Sequence, residues 1–149
     1  MDPSIVARLR ESFALVAQDN PVRITEHFYA RLFTHHAELR PMFPKEMSKQ
    51  KMGLASAVSL VVKSADNLSK IEDALLKMGA RHVAYGTKDE HYDIIGNNLI
   101  QTLKELSGDA WQEQWEQDWA AALKLVSEVM IRGANEHIAK AKAAEAGKN

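Results

Sequence analysis

An all-α fold follows from three features of the chain. All four prolines (Pro3, Pro21, Pro41 and Pro44) lie in the first 44 residues, so everything from Lys45 onward lacks that helix breaker. The proline-free stretch is rich in Ala, Leu, Lys and Glu, which are good helix formers. Apolar residues recur every three to four positions, and no alternating β-branched run bounded by turn dipeptides marks a hairpin.

Ser4 is expected to cap a first helix whose apolar stripe is Ile5, Leu9, Phe13 and Val16. Asn20-Pro21, a cap followed by proline, opens a second helix with Thr25, Phe28, Tyr29, Leu32 and Phe33 in register. Pro41-Met42-Phe43-Pro44 forces a corner. Ser48 is expected to cap a third helix carrying Gln50, Leu54, Ala57, Val58 and Val61. After a break at Asp66-Asn67, a shorter helix is predicted from about Ser69 to Tyr85, with Leu75, Met78, His82 and Tyr85 along one side. Gly86-Thr87-Lys88-Asp89 is a turn, and two long helices follow, Asp89–Leu106 and Asp109–His137, parted by Ser107-Gly108. Residues 1–138 read as one domain, and the low-complexity segment 139–149 as a flexible tail.

With 149 residues, 46% of them hydrophobic and 26% charged, the chain suits one globular domain. The absence of cysteine excludes disulfides, thiolate metal sites and iron–sulfur clusters. Nineteen basic residues against twenty acidic ones leave a net charge of −1, which gives no footprint for nucleic acid or an anionic membrane. No apolar run reaches ~18 residues, and the start of the chain carries Asp2 where a secretory leader is basic; a cytoplasmic protein is expected. No exposed apolar stripe demands an oligomer, so a monomer or weak dimer is expected. Phosphate loops, nucleophile elbows, zinc-protease helices and EF-hand loops are all missing.

What remains are polar residues inside apolar stripes. His82 shares a helix face with Leu75 and Met78; taken alone, such a histidine is a packed ring far more often than a ligand. His35-His36 sits at a helix end, where a cation suits the dipole, while His27, His91 and His137 have no ligand-spaced partner on their own helices. Tyr29 and Gln50 each place a polar group in an apolar stripe, at a cost of roughly 1–3 kcal/mol unless hydrogen-bonded. Either they bond each other or a backbone carbonyl, or they line a cavity and donate to something bound there. One histidine ligand, two donors on other helices and an apolar lining describe a haem pocket, in which the second ring nitrogen of His82 needs an acceptor such as the carbonyl near Met78.

At this point the chain resembles a globin over nearly its whole length, and is most similar to single-domain bacterial haemoglobins, the globin part of flavohaemoglobins and neuroglobin-like proteins. His27-Phe28-Tyr29-Ala30-Arg31-Leu32-Phe33 resembles the B helix of that group, with Tyr29 as distal tyrosine. Glu38-Leu39-Arg40-Pro41-Met42-Phe43 resembles the corner that sets an aromatic ring, here Phe43, against the haem. Gln50 and Leu54 match the distal glutamine and leucine. Leu76-Lys77-Met78-Gly79-Ala80-Arg81-His82-Val83-Ala84-Tyr85-Gly86 resembles the proximal segment, which implies His82 as axial iron ligand; Arg81 beside it either meets a haem propionate or, the commoner case, is a solvated arginine. The stretch from His91 to Leu99 resembles the start of the G helix and implies that Tyr92 and Ile95 touch the haem, while Trp119 and Met130 fit the last helix. The implied fold is three helices over three around a non-covalent haem b.

The chain departs from flavohaemoglobins in two ways. No reductase follows the last matching helix, so redox turnover is expected to draw on a separate electron-donating reductase. Behind the proximal histidine, members that dioxygenate nitric oxide pair a tyrosine with a glutamate. Tyr92 matches the tyrosine, but the glutamate's place holds Ala134, and Glu136 lies two residues on, turned by about 200°. The residue four beyond Trp119 is Leu123, where the family has tyrosine. A less polar proximal side favours binding over O–O cleavage.

Three functions follow. The favoured one is reversible binding of O2, CO and NO at a pentacoordinate ferrous iron, with Tyr29 and Gln50 as donors; the distal Gln50 argues against a bis-histidine state. The second is a nitric oxide dioxygenase served by an external reductase. The third is a haem-free helical module, which leaves His82, Tyr29 and Gln50 unexplained.

Overall fold

A computed structural model describes residues 1–147. Among them there are six α-helices, three short 3-10 segments and no strand. The helices are α1 (Pro3–Ala17), α2 (Val22–His35), α3 (Ser48–Lys63), α4 (Glu72–Ala84), α5 (Asp89–Ser107) and α6 (Glu113–Ala146). The 3-10 segments are Ala37–Met42, Leu68–Ile71 and Gly108–Ala110.

The ends of the helices correct several expectations. Asp2, not Ser4, caps α1: its carboxylate accepts the Ser4 N–H at 2.8 Å, because Pro3 takes the first helical position, where a missing N–H costs nothing. Glu46 plays that part for α3 and accepts the Ser48 N–H at 2.9 Å. Asn20 Oδ1 accepts the Val22 N–H at 3.2 Å, but Pro21 takes the cap position and α2 begins at Val22, one residue later than expected. The segment before α4 is a 3-10 turn instead of helix, so α4 starts at Glu72. Gly108, at φ +55°, ends α5 with its N–H on the Lys104 carbonyl. The chain then runs extended through Trp111 and Gln112, and α6 begins at Glu113 instead of Asp109. Trp111 therefore lies outside α6, and meets Trp115 edge-on with ring centroids 5.6 Å apart. At its far end α6 continues through 139–146, exposed on every side; Lys148 and Asn149 of the expected tail lie outside the described residues.

Helices α1, α2, α5 and the first half of α6 enclose the larger core, built on Leu9, Ile24, Phe28, Leu32, Leu103, Trp115 and Trp119. Directed bonds pin it. Arg8 grips Asp118 with two hydrogen bonds, at 2.7 and 3.0 Å, and holds that carboxyl below the usual carboxylate range. Trp119 Nε1 donates to Ser12 Oγ at 2.9 Å, so a buried indole N–H finds its partner. His27 and Arg31 of α2 both reach Glu105 of α5.

A second, smaller cluster of Val61, Ile71 and Leu75 lies where α3 ends beside α4, flanked by Met78, Val126, Val129 and Met130. Here α4 and α6 cross with their backbones touching. A Cβ on Gly79 would overlap the Met130 main chain, and one on Gly133 would overlap that of Leu76, so the crossing needs a glycine from each helix.

Candidate functional site

The distal half is built on α2, α3 and the corner between them. Tyr29 is 4% exposed, yet it is ringed by Phe28, Phe33 and Phe43 at centroid distances of 4.9, 5.8 and 5.6 Å. Burial pushes its phenol up to about 12, opposed by a hydrogen bond from the Gln50 side chain. The two polar residues thus come together across helices, close enough for Gln50 to act on the phenol.

Phe43 is held by a residue the sequence did not single out. Arg40 donates to the carbonyls of Phe43 at 3.2 Å, Pro44 at 2.9 Å and Lys45 at 3.3 Å, while its Cζ stands 5.0 Å from the Phe33 ring centroid. A guanidinium with five donors can bind three consecutive carbonyls and stack at once, which a lysine cannot. The only hint in the sequence was its place just before Pro41.

The proximal half belongs to α4 and α5. His82 is half-buried, and its Nδ1 donates to the Met78 carbonyl at 2.6 Å, the acceptor expected one turn back. With Nδ1 committed as donor, Nε2 carries the lone pair that ligates a metal. The His82 ring lies 6.3 Å from Tyr92 at an interplanar angle of 34°, and meets the exposed Tyr85 edge-on at 5.4 Å. The Tyr92 hydroxyl is buried and has no hydrogen-bond partner; burial, and then the charge of Asp89, raise its pKa. Leu54 of α3 and Ile95 of α5 are half-buried and pack on the larger core. Arg81 is exposed and forms no ion pair among the described residues.

Glu136 is exposed and bonds neither Tyr92 nor His82, as its rotation on the helix predicts. Three of the other histidines have other employment. His27 pairs with Glu105, His36 with Glu38, and His91 Nδ1 accepts the Lys88 N–H at the start of α5.

A flat apolar group with one open metal position fits these residues. The buried apolar side chains form two clusters where a domain of this size ordinarily has one contiguous core. Helix α3 packs mainly on α1 and α2, and α4 mainly on α6, so the two helices carrying Gln50 and His82 are not each other's partners. Half-buried Leu54, Met78, Ile94 and Ile95 border the two clusters, and the orphaned Tyr92 hydroxyl lies beside His82. Among the described residues no three of His, Asp and Glu gather as a metal site, so His82 can hold a metal only if a macrocycle supplies the other ligands.

Residues 26–130 match the globin family, and the chain belongs to it. It is 31% identical over 126 residues to a flavohemoprotein of Vibrio cholerae, covering 83% of this chain and 32% of that protein. A flavohemoprotein of Chromobacterium violaceum is 33% identical over 135 residues, covering 89% and 33%. The chain thus spans about a third of the length of the curated relatives it matches. Among solved structures it resembles a bacterial globin of Campylobacter jejuni, with TM-score 0.79 and 26% identity over 89% of this chain and 96% of that one. It also resembles an engineered carbene transferase derived from a Rhodothermus marinus protein assigned as a nitric oxide dioxygenase, with TM-score 0.80 and 25% identity over 98% and 99%. The six-helix arrangement is the globin fold.

Proposed function

We propose that residues 1–138 form a haem-b globin that reversibly binds O2, and also CO and NO, with His82 as axial ligand and Tyr29 and Gln50 as distal donors. The observation that carries this reading is the Nδ1–Met78 bond, which fixes the His82 tautomer and leaves Nε2 as a ligand. Phe43, Leu54, Tyr92 and Ile95 would hold the porphyrin by apolar contact, and Arg81 would meet a propionate at the surface. The haem supplies a ferrous iron with an open position for a diatomic ligand. Tyr29 keeps its proton at physiological pH, and its hydroxyl and the Gln50 amide would each donate a hydrogen bond to a ligand carrying partial negative charge. The surrounding phenyl rings exclude water from this bond, which strengthens it.

One such bond contributes about 1–1.5 kcal/mol, so Tyr29→Phe is expected to speed O2 dissociation by about tenfold in stopped flow. An unchanged rate would remove the hydroxyl from ligand binding. On this reading the protein works in the cytoplasm as a monomer or weak dimer and is kept reduced by a separate reductase.

Likeness to the Rhodothermus marinus protein favours nitric oxide dioxygenation as the second reading. Against it stands the exposed Glu136, which leaves His82 without a carboxylate behind it. With a reductase and NADH supplied, a carrier gives one stoichiometric burst of NO consumption, whereas a dioxygenase sustains it over many turnovers.

A further inference from the structure

Thr25 sits one turn before Tyr29 on α2 and is 1% exposed. Its hydroxyl has one proton and two carbonyls in reach: Val22 on its own helix at 3.1 Å, and Lys51 on α3 at 2.9 Å. A helical threonine ordinarily returns its proton to its own preceding turn. Here the shorter contact crosses to α3, and it lands on the residue next to Gln50. Among the described residues, no other hydrogen bond of resolved geometry joins α2 to α3. Apolar residues of both helices, Phe28 and Leu32 of α2 and Val58 and Val62 of α3, share the larger core, and non-directional packing tolerates small shifts better than a directed bond does.

We propose that Thr25 is a positioning residue: its bond to the Lys51 carbonyl sets the register of α3 on α2, and thereby sets where the neighbouring Gln50 amide stands relative to the Tyr29 hydroxyl. The idea rests on the reading of Tyr29 and Gln50 as ligand donors. Without the bond only apolar packing holds α3 along α2, and a hydrogen bond from Gln50 weakens steeply once distance and angle drift. The sequence shows only a β-branched residue in an apolar stripe, which is also what a core filler looks like.

The test compares Thr25→Val, which keeps the shape and loses the hydroxyl, with Thr25→Ser, which keeps the hydroxyl. Two quantities are read on haem-loaded protein: the infrared C–O stretch of the CO complex and the O2 dissociation rate, with Tyr29→Phe as reference. The expected result for Thr25→Val is a stretch displaced toward that of Tyr29→Phe and O2 loss faster by about three- to tenfold. Thr25→Ser should keep the native stretch and a rate within about twofold of the parent. A native stretch and rate in Thr25→Val, whatever its melting temperature, would overturn the proposal. If Thr25→Val does not fold, Thr25→Ser against Thr25→Ala isolates the same hydroxyl, and identical stretches in that pair would overturn it equally. If Tyr29→Phe alone leaves both readouts unchanged, the donor reading fails first and the role of Thr25 falls with it.

Discussion

Tyr29 carries the largest resolved departure at the site, its phenol pushed up to about 12 by burial. An unfolded tyrosine titrates near 10, so the native state holds its proton more tightly than the unfolded chain does. The sign of the linkage follows: stability is fully present below about pH 10 and is lost as pH rises toward 12, by roughly 2–3 kcal/mol in all. Urea midpoints across that window should fall less steeply in Tyr29→Phe than in the parent; equal slopes would mean that another group governs the alkaline limb. Tyr29, Gln50 and His82 were legible in the sequence because each is a polar residue in an apolar stripe. The Met78 carbonyl was legible too, since helical geometry places it one turn before His82. Arg40 and Thr25 were not: an arginine beside a corner reads as solvated, and whether a threonine bonds its own helix or the next depends on the crossing.

Between elements, what escaped the sequence was mostly at the joints. Ser4 and Ser48 have the chemistry of caps, yet Asp2 and Glu46 take the part, each a carboxylate two residues upstream that reaches the free N–H. Trp111, Trp115 and Trp119 have helical spacing, but spacing alone does not reveal that the helix begins only at Glu113. The glycine pair at the α4–α6 crossing was also silent, because its purpose exists only once two backbones meet. Gly79 lies three residues before His82, so this crossing sets the depth of the proximal helix. A Cβ at Gly79 would meet main-chain atoms, which have no rotamer to escape into. Gly79→Ala is therefore expected to cost about 2–3 kcal/mol, a fall of roughly 5–10 °C in Tm, and to speed haem loss to an apo-globin acceptor. A variant with parental melting and haem retention would show that the two helices part without cost.

For the whole molecule, the all-α class, the order of the helices and the corner at Pro41–Pro44 could be read in advance, because helix periodicity and proline placement are local signals. The division of the core into two clusters could not, since it depends on which helices decline to pack on each other. That division, with His82 beside one cluster and Tyr29 inside the other, is what a flat cofactor would bridge. On the proposed reading, a proximal side on which no carboxylate bonds His82 suits ligand binding. The most direct test is the visible spectrum of the haem-loaded protein and of His82→Gly, reduced and then exposed to O2. The parent should give a pentacoordinate ferrous spectrum that turns to a stable two-banded form in O2. His82→Gly should lose that form and regain it when imidazole is added. A parent that takes up no haem, or a His82→Gly spectrum identical to the parent's, would contradict the assignment of His82 and of the pocket built around it.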